Sequence, residues 1–509
     1  MFLQRKRSPR IILKSLEDNP KMGRVKNGDI RVLFASSEAE PFYKVGGLGD
    51  YAGSLPNALA NLSLKNGGKI DIRVVLPLHD PATIDAFSLS EEFSISFISR
   101  SGKVKGAVYS AIFNDITYYF IRQIKPEILS TNVYDSNQYT NALKFAFFSI
   151  ACIKMLSHLD WQPDILHAND WHSALIVHQL DYSQTVNDKS KKIRTALAIH
   201  NMPFMGSGSE KILYNFWINP ISINAIPEWA QHLPLPMGIA SADKIVAVSP
   251  TYAEELKTNY FAYGLENYLI DNAEKLTGII NGIDTKQWDP STDKFILQNF
   301  SLNSIHQRNK NKSALIEDLG LDTNTECPLL IVISRLEDQK GIDLILDALT
   351  SITSLNWNAI ILGTGHHGYE HAFRALEREQ PGRIRAFIEY NATLARKLYS
   401  SGDMILMPSL YEPCGLSQMI AMRYGCVPIA HAVGGLKDSI IIEPEIKRTG
   451  FLFDNPTSSD FIACIKTALN MYRNIDGWKM IQMNGMKMNY SWNKSAKKYA
   501  DLYDELLSK

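Results

Sequence analysis

Short runs of β-branched and aliphatic residues recur along this chain from Ile30 onward, and most are followed by a segment with apolar residues at helical spacing. Arg31-Val-Leu-Phe-Ala35 predicts a buried strand, the loop Lys44-Val-Gly-Gly-Leu-Gly-Asp50 follows, and the spacing predicts a helix over 51–62. Further strands are predicted at 72–76, 116–121, 165–168, 196–199, 245–248 and 278–280, with helices over 141–156 and 171–180. The pattern pauses over 300–312, which is polar, and then resumes. Strands are predicted at 329–334, 359–362, 384–388, 404–407, 427–430 and 451–453, and helices over 341–349 and 416–424. A helical tail runs from Ala463 with a break near Ser491-Trp-Asn493. Strands alternating with amphipathic helices indicate parallel βαβ units, so the fold class is α/β with two doubly wound, Rossmann-like parallel sheets.

The length of 509 residues exceeds one ordinary core and agrees with two domains. The boundaries expected are a basic disordered extension at 1–28, a first domain at 29–300, a linker at 301–312, a second domain at 313–480 and a helical tail at 481–509 that crosses back to the first domain. Lys plus Arg and Asp plus Glu both number 53, so no global field draws the protein to nucleic acid or membrane. No apolar run approaches the roughly 18 residues needed to span a bilayer. Cys152, Cys327, Cys414, Cys426 and Cys464 are scattered without zinc-ligand spacing and read as reduced thiols of a cytoplasmic protein. The N-terminal extension lacks the apolar core of a secretory signal. A transit peptide, and with it a plastid location, is the alternative there.

Several loops at predicted strand ends carry chemistry. Ligands of open α/β sheets collect at carboxyl strand ends, and glycine pairs at a helix start let backbone approach an anion. Val45-Gly-Gly-Leu-Gly-Asp50 is echoed by Val433-Gly-Gly-Leu-Lys-Asp438, making Gly46, Gly47, Gly434 and Gly435 candidate contacts beside Lys44. A Gly-Gly turn with no ligand role is the alternative. Arg335 and Lys340 in Ser334-Arg-Leu-Glu-Asp-Gln-Lys-Gly341 are fixed cations suited to a diphosphate, or else solvated surface charge. Glu412, in Pro408-Ser-Leu-Tyr-Glu-Pro-Cys-Gly-Leu416, either holds sugar hydroxyls or compensates a helix N-terminus. Asp170, His172, His200 and Asn201 end two strands as candidate sugar contacts. Phe204, Tyr214, Phe216, Trp217 and Trp229 either stack on sugar rings or pack beneath a long loop.

These motifs, with Ser249-Pro-Thr-Tyr-Ala253, Asn281-Gly-Ile-Asp284 and Thr449-Gly-Phe451, resemble those of bacterial glycogen synthases and plant starch synthases, glycosyltransferase family five, in the family's order over nearly the whole chain. The resemblance implies a GT-B fold: an acceptor-side N-terminal domain of starch synthase type, and a C-terminal nucleotide-sugar domain of glycosyltransferase group 1 type, facing a central cleft. It implies retaining transfer of glucose from ADP-glucose to the non-reducing end of an α-1,4-glucan, without metal or cofactor. His200, Asp170, Glu412, Lys340 and Arg335 would be catalytic. Donor contacts would come from Lys44, Gly46, Gly47, Asn201, Arg335, Lys340, Glu412, Cys414, Gly415, Leu416, Gly434 and Gly435. The partners expected are ADP-glucose and the glucan, with no nucleic acid and no membrane.

The match departs at Met202-Pro-Phe-Met-Gly206, where a Tyr-Gln-Gly ending is common, and at Leu235-Pro-Met-Gly-Ile239, where a Lys-Ala-Gly or Lys-Gly-Gly turn is usual. Both departures lie on the acceptor side. The alternatives are therefore a transferase using the same donor with another or a short acceptor, and a non-catalytic glucan-binding paralogue.

Overall fold

The computed structural model describes residues 28–128, 130–186, 192–322 and 327–508. The expected extension at 1–28 lies outside them apart from Gly28. The chain divides into two compact units. The first takes the described residues up to Ala247, with Glu255–Ile279 and those from Ser495 onward. The second takes Val248–Glu254 and Ile280–Lys494.

The first unit is built on a nine-stranded sheet. Its strands are β1 (Ile30–Ala35), β2 (Ile70–Pro77), β3 (Ser90–Ser99), β4 (Gly102–Phe113), β5 (Ile116–Lys125), β6 (Ile165–Asn169), β7 (Arg194–Ile199), β8 (Lys244–Ala247) and β9 (Leu276–Gly278). They lie in the order β3-β4-β5-β2-β1-β6-β7-β8-β9. All neighbours pair in parallel except β3 with β4 and β4 with β5. The β3–β4 hairpin is an addition to the expected elements. β3 is an edge strand with most side chains exposed, so it lacks the continuous apolar run of a strand buried on both faces. β9 sits two residues earlier than expected. Phe34, Tyr51, Tyr118, Phe120, Phe145 and Phe148 are among the fully buried side chains of this core.

The second unit has a six-stranded, all-parallel sheet. Its strands are β10 (Leu329–Ile333), β11 (Asn358–Leu362), β12 (Ile384–Phe387), β13 (Met404–Met407), β14 (Val427–His431) and β15 (Phe451–Phe453). Their order is β12-β11-β10-β13-β14-β15. The helix Ile342–Ser351 turns Ile342, Ile345 and Leu349 into the core beside Trp357 and Phe461. Burial of each such side chain contributes roughly 1.5–3 kcal/mol.

The segment expected as a linker is instead folded into the second unit. A 3₁₀ turn at Leu302–Gln307 leads into the helix Arg308–Asp318. Arg308, Asn311 and Lys312 are buried there despite their polarity. Asn311 exchanges two hydrogen bonds with the Gln298 backbone, and the two cations are paired with Asp403, whose carboxylate lies 2.7 Å from Lys312 Nζ and 3.5 Å from Arg308 Nη1. Buried cations survive only when paired in this way. The tail breaks after the helix Ile475–Lys487 and resumes as the helix Trp492–Ser508, whose residues from Ser495 pack in the first unit.

Candidate functional site

In the first unit the loop after β1 is pinned from below by Glu38, a residue that the motif reading missed. Its Oε2 accepts the backbone N–H groups of Val45 (2.5 Å) and Gly46 (3.1 Å), and its Oε1 accepts the Tyr134 hydroxyl (2.7 Å). Glu38 is 2% exposed, and burial raises its pKa against the pull of these hydrogen bonds. Above it, Lys44 Nζ is held between Asp50 (2.6 Å) and Glu40 (3.1 Å). Gly46 caps the helix Gly47–Ala60 in an extended conformation. A Cβ added at Gly46 or Gly47 would meet no atom of the described residues within 4 Å beyond its own chain neighbours and helix turn. Neither left-handed backbone nor packing therefore demands glycine at this pair.

The ends of β6 and β7 complete this half. Asp170 opens the helix Asp170–Val186 with φ +51°, a left-handed conformation uncommon outside glycine. Its Oδ1 accepts the N–H groups of His200 (2.7 Å) and Asn201 (3.3 Å). Burial outweighs those bonds and pushes its pKa up to about 7. The His200 ring is held down to about 3 by burial and is neutral. Its Nε2 lies 3.1 Å from Asn169 Oδ1, and Asn169 Nδ2 donates to the Ala35 carbonyl. That orientation of the amide makes Nε2 the protonated nitrogen of His200 and leaves Nδ1 as an acceptor. The Tyr51 ring packs edge-on against His200 at 4.4 Å. Asn201 Oδ1 is buried without a hydrogen-bond partner among the described residues, as is His172 Nδ1.

In the second unit the loops after β10 and β13 are laced together. Lys340 Nζ lies 2.6 Å from Glu412 Oε2, which also accepts the Ser409 hydroxyl at 2.9 Å. Gln339 Nε2 donates to the Tyr411 carbonyl and its Oε1 accepts from Arg335, whose other partner is Glu337. Glu412 is 7% exposed, and its Oε1 has no partner among the described residues. The helix that follows in sequence, Ser417–Arg423, is capped by Leu416 and begins five residues later, while the helix Gly434–Ser439 starts against the Glu412 backbone. Arg335 remains largely exposed. Cys414 is buried, and desolvation lifts its thiol to about 12, so it is no nucleophile at neutral pH. Gly415 has φ +68°.

The second glycine pair differs from the first. Gly434 and Gly435 are buried against the Glu412–Cys414 backbone. Gly435 N–H donates to the Glu412 carbonyl at 3.0 Å. A Cβ at Gly435 would lie 2.5 Å from Cys414 Cα and closer still to its carbonyl oxygen. The two loops are therefore unequal: the first pair is open and the second is a packing requirement. Asp438 accepts from Thr251 N and Oγ1, both at 2.8 Å.

Thus Lys44, Gly46, Gly47, Asp170, His200 and Asn201 collect in the first unit. Arg335, Lys340, Glu412, Cys414, Gly415, Leu416, Gly434 and Gly435 collect in the second. The strand-end rule that found these residues would also have found Glu38, three residues beyond β1 in Ser36-Ser-Glu38. Tyr134 carries no such signal, whereas Tyr390, exposed three residues beyond β12, meets the same strand-end rule. Of the aromatic group, Phe216 is buried while Phe204, Tyr214, Trp217 and Trp229 are each more than half exposed. Among the described residues no cluster of three or more His, Cys, Asp or Glu could hold a metal ion, and no helix is long and apolar enough to cross a membrane.

Comparison with known proteins agrees with both halves. Residues 31–271 match the starch synthase catalytic domain model, and residues 317–481 match the glycosyl transferases group 1 model. The chain is 37% identical to a glycogen synthase of Clostridium perfringens over 488 residues, covering 94% of this chain and 98% of that one. It is 35% identical to a glycogen synthase of Thermotoga maritima, covering 94% and 99%. The catalytic domain of starch synthase IV from Arabidopsis thaliana, solved bound to ADP and acarbose, superposes with TM-score 0.82 at 28% identity, covering 94% and 99%. A sucrose-phosphate synthase from Thermosynechococcus elongatus shares the fold at TM-score 0.58 and 17% identity, covering 94% and 99%.

Proposed function

Because the chain belongs to the family of bacterial glycogen synthases and plant starch synthases, glucosyltransferases that join a nucleotide-sugar donor to a glucan, we propose that its donor is ADP-glucose. The acceptor is the non-reducing end of an α-1,4-glucan, and the anomeric configuration is retained. The observation that carries this reading is the Lys340–Glu412 pair, a cation and a carboxylate with one unpartnered oxygen, held together at two strand ends.

The anomeric carbon–phosphate bond breaks, leaving oxocarbenium character on glucose and negative charge on ADP. Arg335 and Lys340 stabilise that charge as it develops. The acceptor hydroxyl bonds to the same face of the anomeric carbon, and its proton passes to the departing phosphate. Glu412 Oε1 accepts a glucose hydroxyl. Backbone at Cys414, Gly415, Leu416, Gly434 and Gly435 supports the donor beside it. In the first unit, Lys44 and the open backbone at Gly46 and Gly47 admit the donor. Asp170 orients His200 and Asn201, whose Nδ1 and Oδ1 accept sugar hydroxyls. Tyr390 offers an exposed aromatic face to the base. On this reading Arg and Lys serve the leaving group without a metal or cofactor, and the protein works in the cytoplasm.

The test is an activity matrix of ADP-glucose and UDP-glucose against glycogen, maltose and a sugar phosphate. ADP-glucose with glycogen is expected to dominate. Lys340→Ala is expected to lower kcat on the order of 10²–10³-fold, the loss typical of one preorganised charge-stabilising group. Preference for UDP-glucose or for the sugar phosphate would refute the assignment, as would an unchanged kcat in Lys340→Ala.

A further inference from the structure

The first unit carries an aromatic clamp that the reaction above does not use. The turn after β3 places Arg100 between two rings, with its Cζ 3.9 Å from the Tyr214 ring centroid and 3.6 Å from that of Trp217. The turn is bonded to the same loop through its backbone. Arg100 N and Nε donate to the carbonyls of Asn215 and Tyr214, each at 2.9 Å, and Ser101 N and Oγ donate to Asn215 Oδ1. Between the rings, Phe216 turns inward against Phe97. Two aromatic side chains are thus fixed in place while staying 66% and 56% exposed.

The backbone reinforces the point. Trp217 follows the capping residue of the helix Glu210–Asn215 and has φ +61°. That position is ordinarily glycine, because a Cβ is strained there. A bulky exposed residue at such a site gains nothing from burial, so its ring serves an encounter with something outside the fold.

The chemistry of the clamp selects the partner. Tyr214 Oη, Trp217 Nε1 and the terminal guanidinium nitrogens of Arg100 have no hydrogen-bond partner among the described residues. Flat apolar faces rimmed by free donors match a pyranose, which has an apolar C–H face and a rim of hydroxyls. An apolar protein surface would leave those donors unpaired. The guanidinium faces are already covered by the two rings, which leaves only its edge for hydrogen bonding.

β3 runs antiparallel to β4 and β4 antiparallel to β5, which is parallel to β2, β1 and β6. β3 therefore ends on the same edge of the sheet as β1 and β6, where Glu38 and Asp170 stand. Five strand spacings of ~4.8 Å separate β3 from β6, about 24 Å along that edge. We propose that Tyr214 and Trp217, clamped by Arg100, form a second α-glucan-holding site on the first unit, gripping the acceptor polymer away from its reacting end. This inference rests on the glucan acceptor of the reading above.

The experiment uses the full chain and two variants, Trp217→Gly and Tyr214→Ala. Glycine relieves the left-handed backbone, so Trp217→Gly is expected to fold, and Tyr214→Ala provides an independent removal of one ring. Glycogen binding is measured by affinity electrophoresis without donor, and KM and kcat are measured with glycogen and with maltose, which is too short to bridge the two sites. Each variant is expected to weaken glycogen binding and raise the glycogen KM about 5-fold, the scale of one lost aromatic contact. kcat and the maltose KM should be unchanged. Unchanged glycogen binding and KM would overturn the site, as would equal rises in KM for glycogen and maltose. A wild-type protein that binds glycogen but transfers no glucose would refute the proposed reaction, and the electrophoresis would still decide the clamp.

Discussion

Gly47→Ala and Gly435→Ala make one pair of opposite expectations. Gly47 is the first residue of its helix, and the new methyl would enter space with no atom of the described residues within 4 Å beyond its own chain neighbours and helix turn. Its φ is not in the left-handed region, so alanine fits the native backbone. Reduced unfolded-state entropy then leaves stability unchanged or raises it by up to ~1 kcal/mol. Gly435 is the reverse. Its methyl would sit 2.5 Å from Cys414 Cα, more than 1 Å inside ordinary contact, and the opposing atoms are backbone. Relief requires the Glu412–Cys414 loop to move, at a cost of ~3 kcal/mol or more. Urea unfolding should therefore show Gly435→Ala clearly destabilised and Gly47→Ala at least as stable as wild type. Activity should invert that ranking for Gly47→Ala, whose methyl occupies space assigned to the donor. A displacement of the sugar by ~1 Å is enough to lower kcat/KM for ADP-glucose ~10²-fold. Full kcat/KM in a stable Gly47→Ala protein would show that the opening is not donor space. Wild-type stability in Gly435→Ala would refute the packing argument for the second loop.

Asp170, with its pKa raised from 3.8 to about 7, binds its proton more tightly folded than unfolded. Its contribution to stability is therefore full below about pH 4 and lost as pH rises through 7. The urea midpoint of wild type should fall relative to that of Asp170→Asn over that window, and the kcat/KM profile should lose an inflection near pH 7 in the variant; parallel midpoint curves would refute the shift. Asp403→Asn leaves Lys312 and Arg308 buried without a counter-charge, so it should destabilise the protein by ~3–5 kcal/mol in urea while kcat per folded molecule is retained. A loss below ~1 kcal/mol would show that the two cations find other partners.

Much of the architecture is legible in the chain because its signal is local. The strands Leu329–Ile333 and Met404–Met407 are continuous apolar runs, and such a run between polar loops reads as a buried parallel strand. Strand-end placement then points to Asp170, Arg335, Lys340 and Glu412 without any knowledge of what surrounds them. The β3 strand escapes the same reading because it is exposed along most of its length. The polar stretch at 301–312 misleads because the partner that permits its burial, Asp403, lies about ninety residues further on.

The sequence by itself thus determined two parallel α/β sheets, the loops that carry chemistry and the family to which those loops point. Tertiary structure alone decided which residues those loops touch. It set Glu38 beneath the amides of Val45 and Gly46, and Lys340 against Glu412. It left one glycine pair open while packing the other, and joined Arg100 to two rings more than a hundred residues away. The physical reason is that helix and strand formation follows a periodicity written within a few neighbouring residues. The burial, pairing and protonation of a polar group depend instead on partners that only the folded chain brings near.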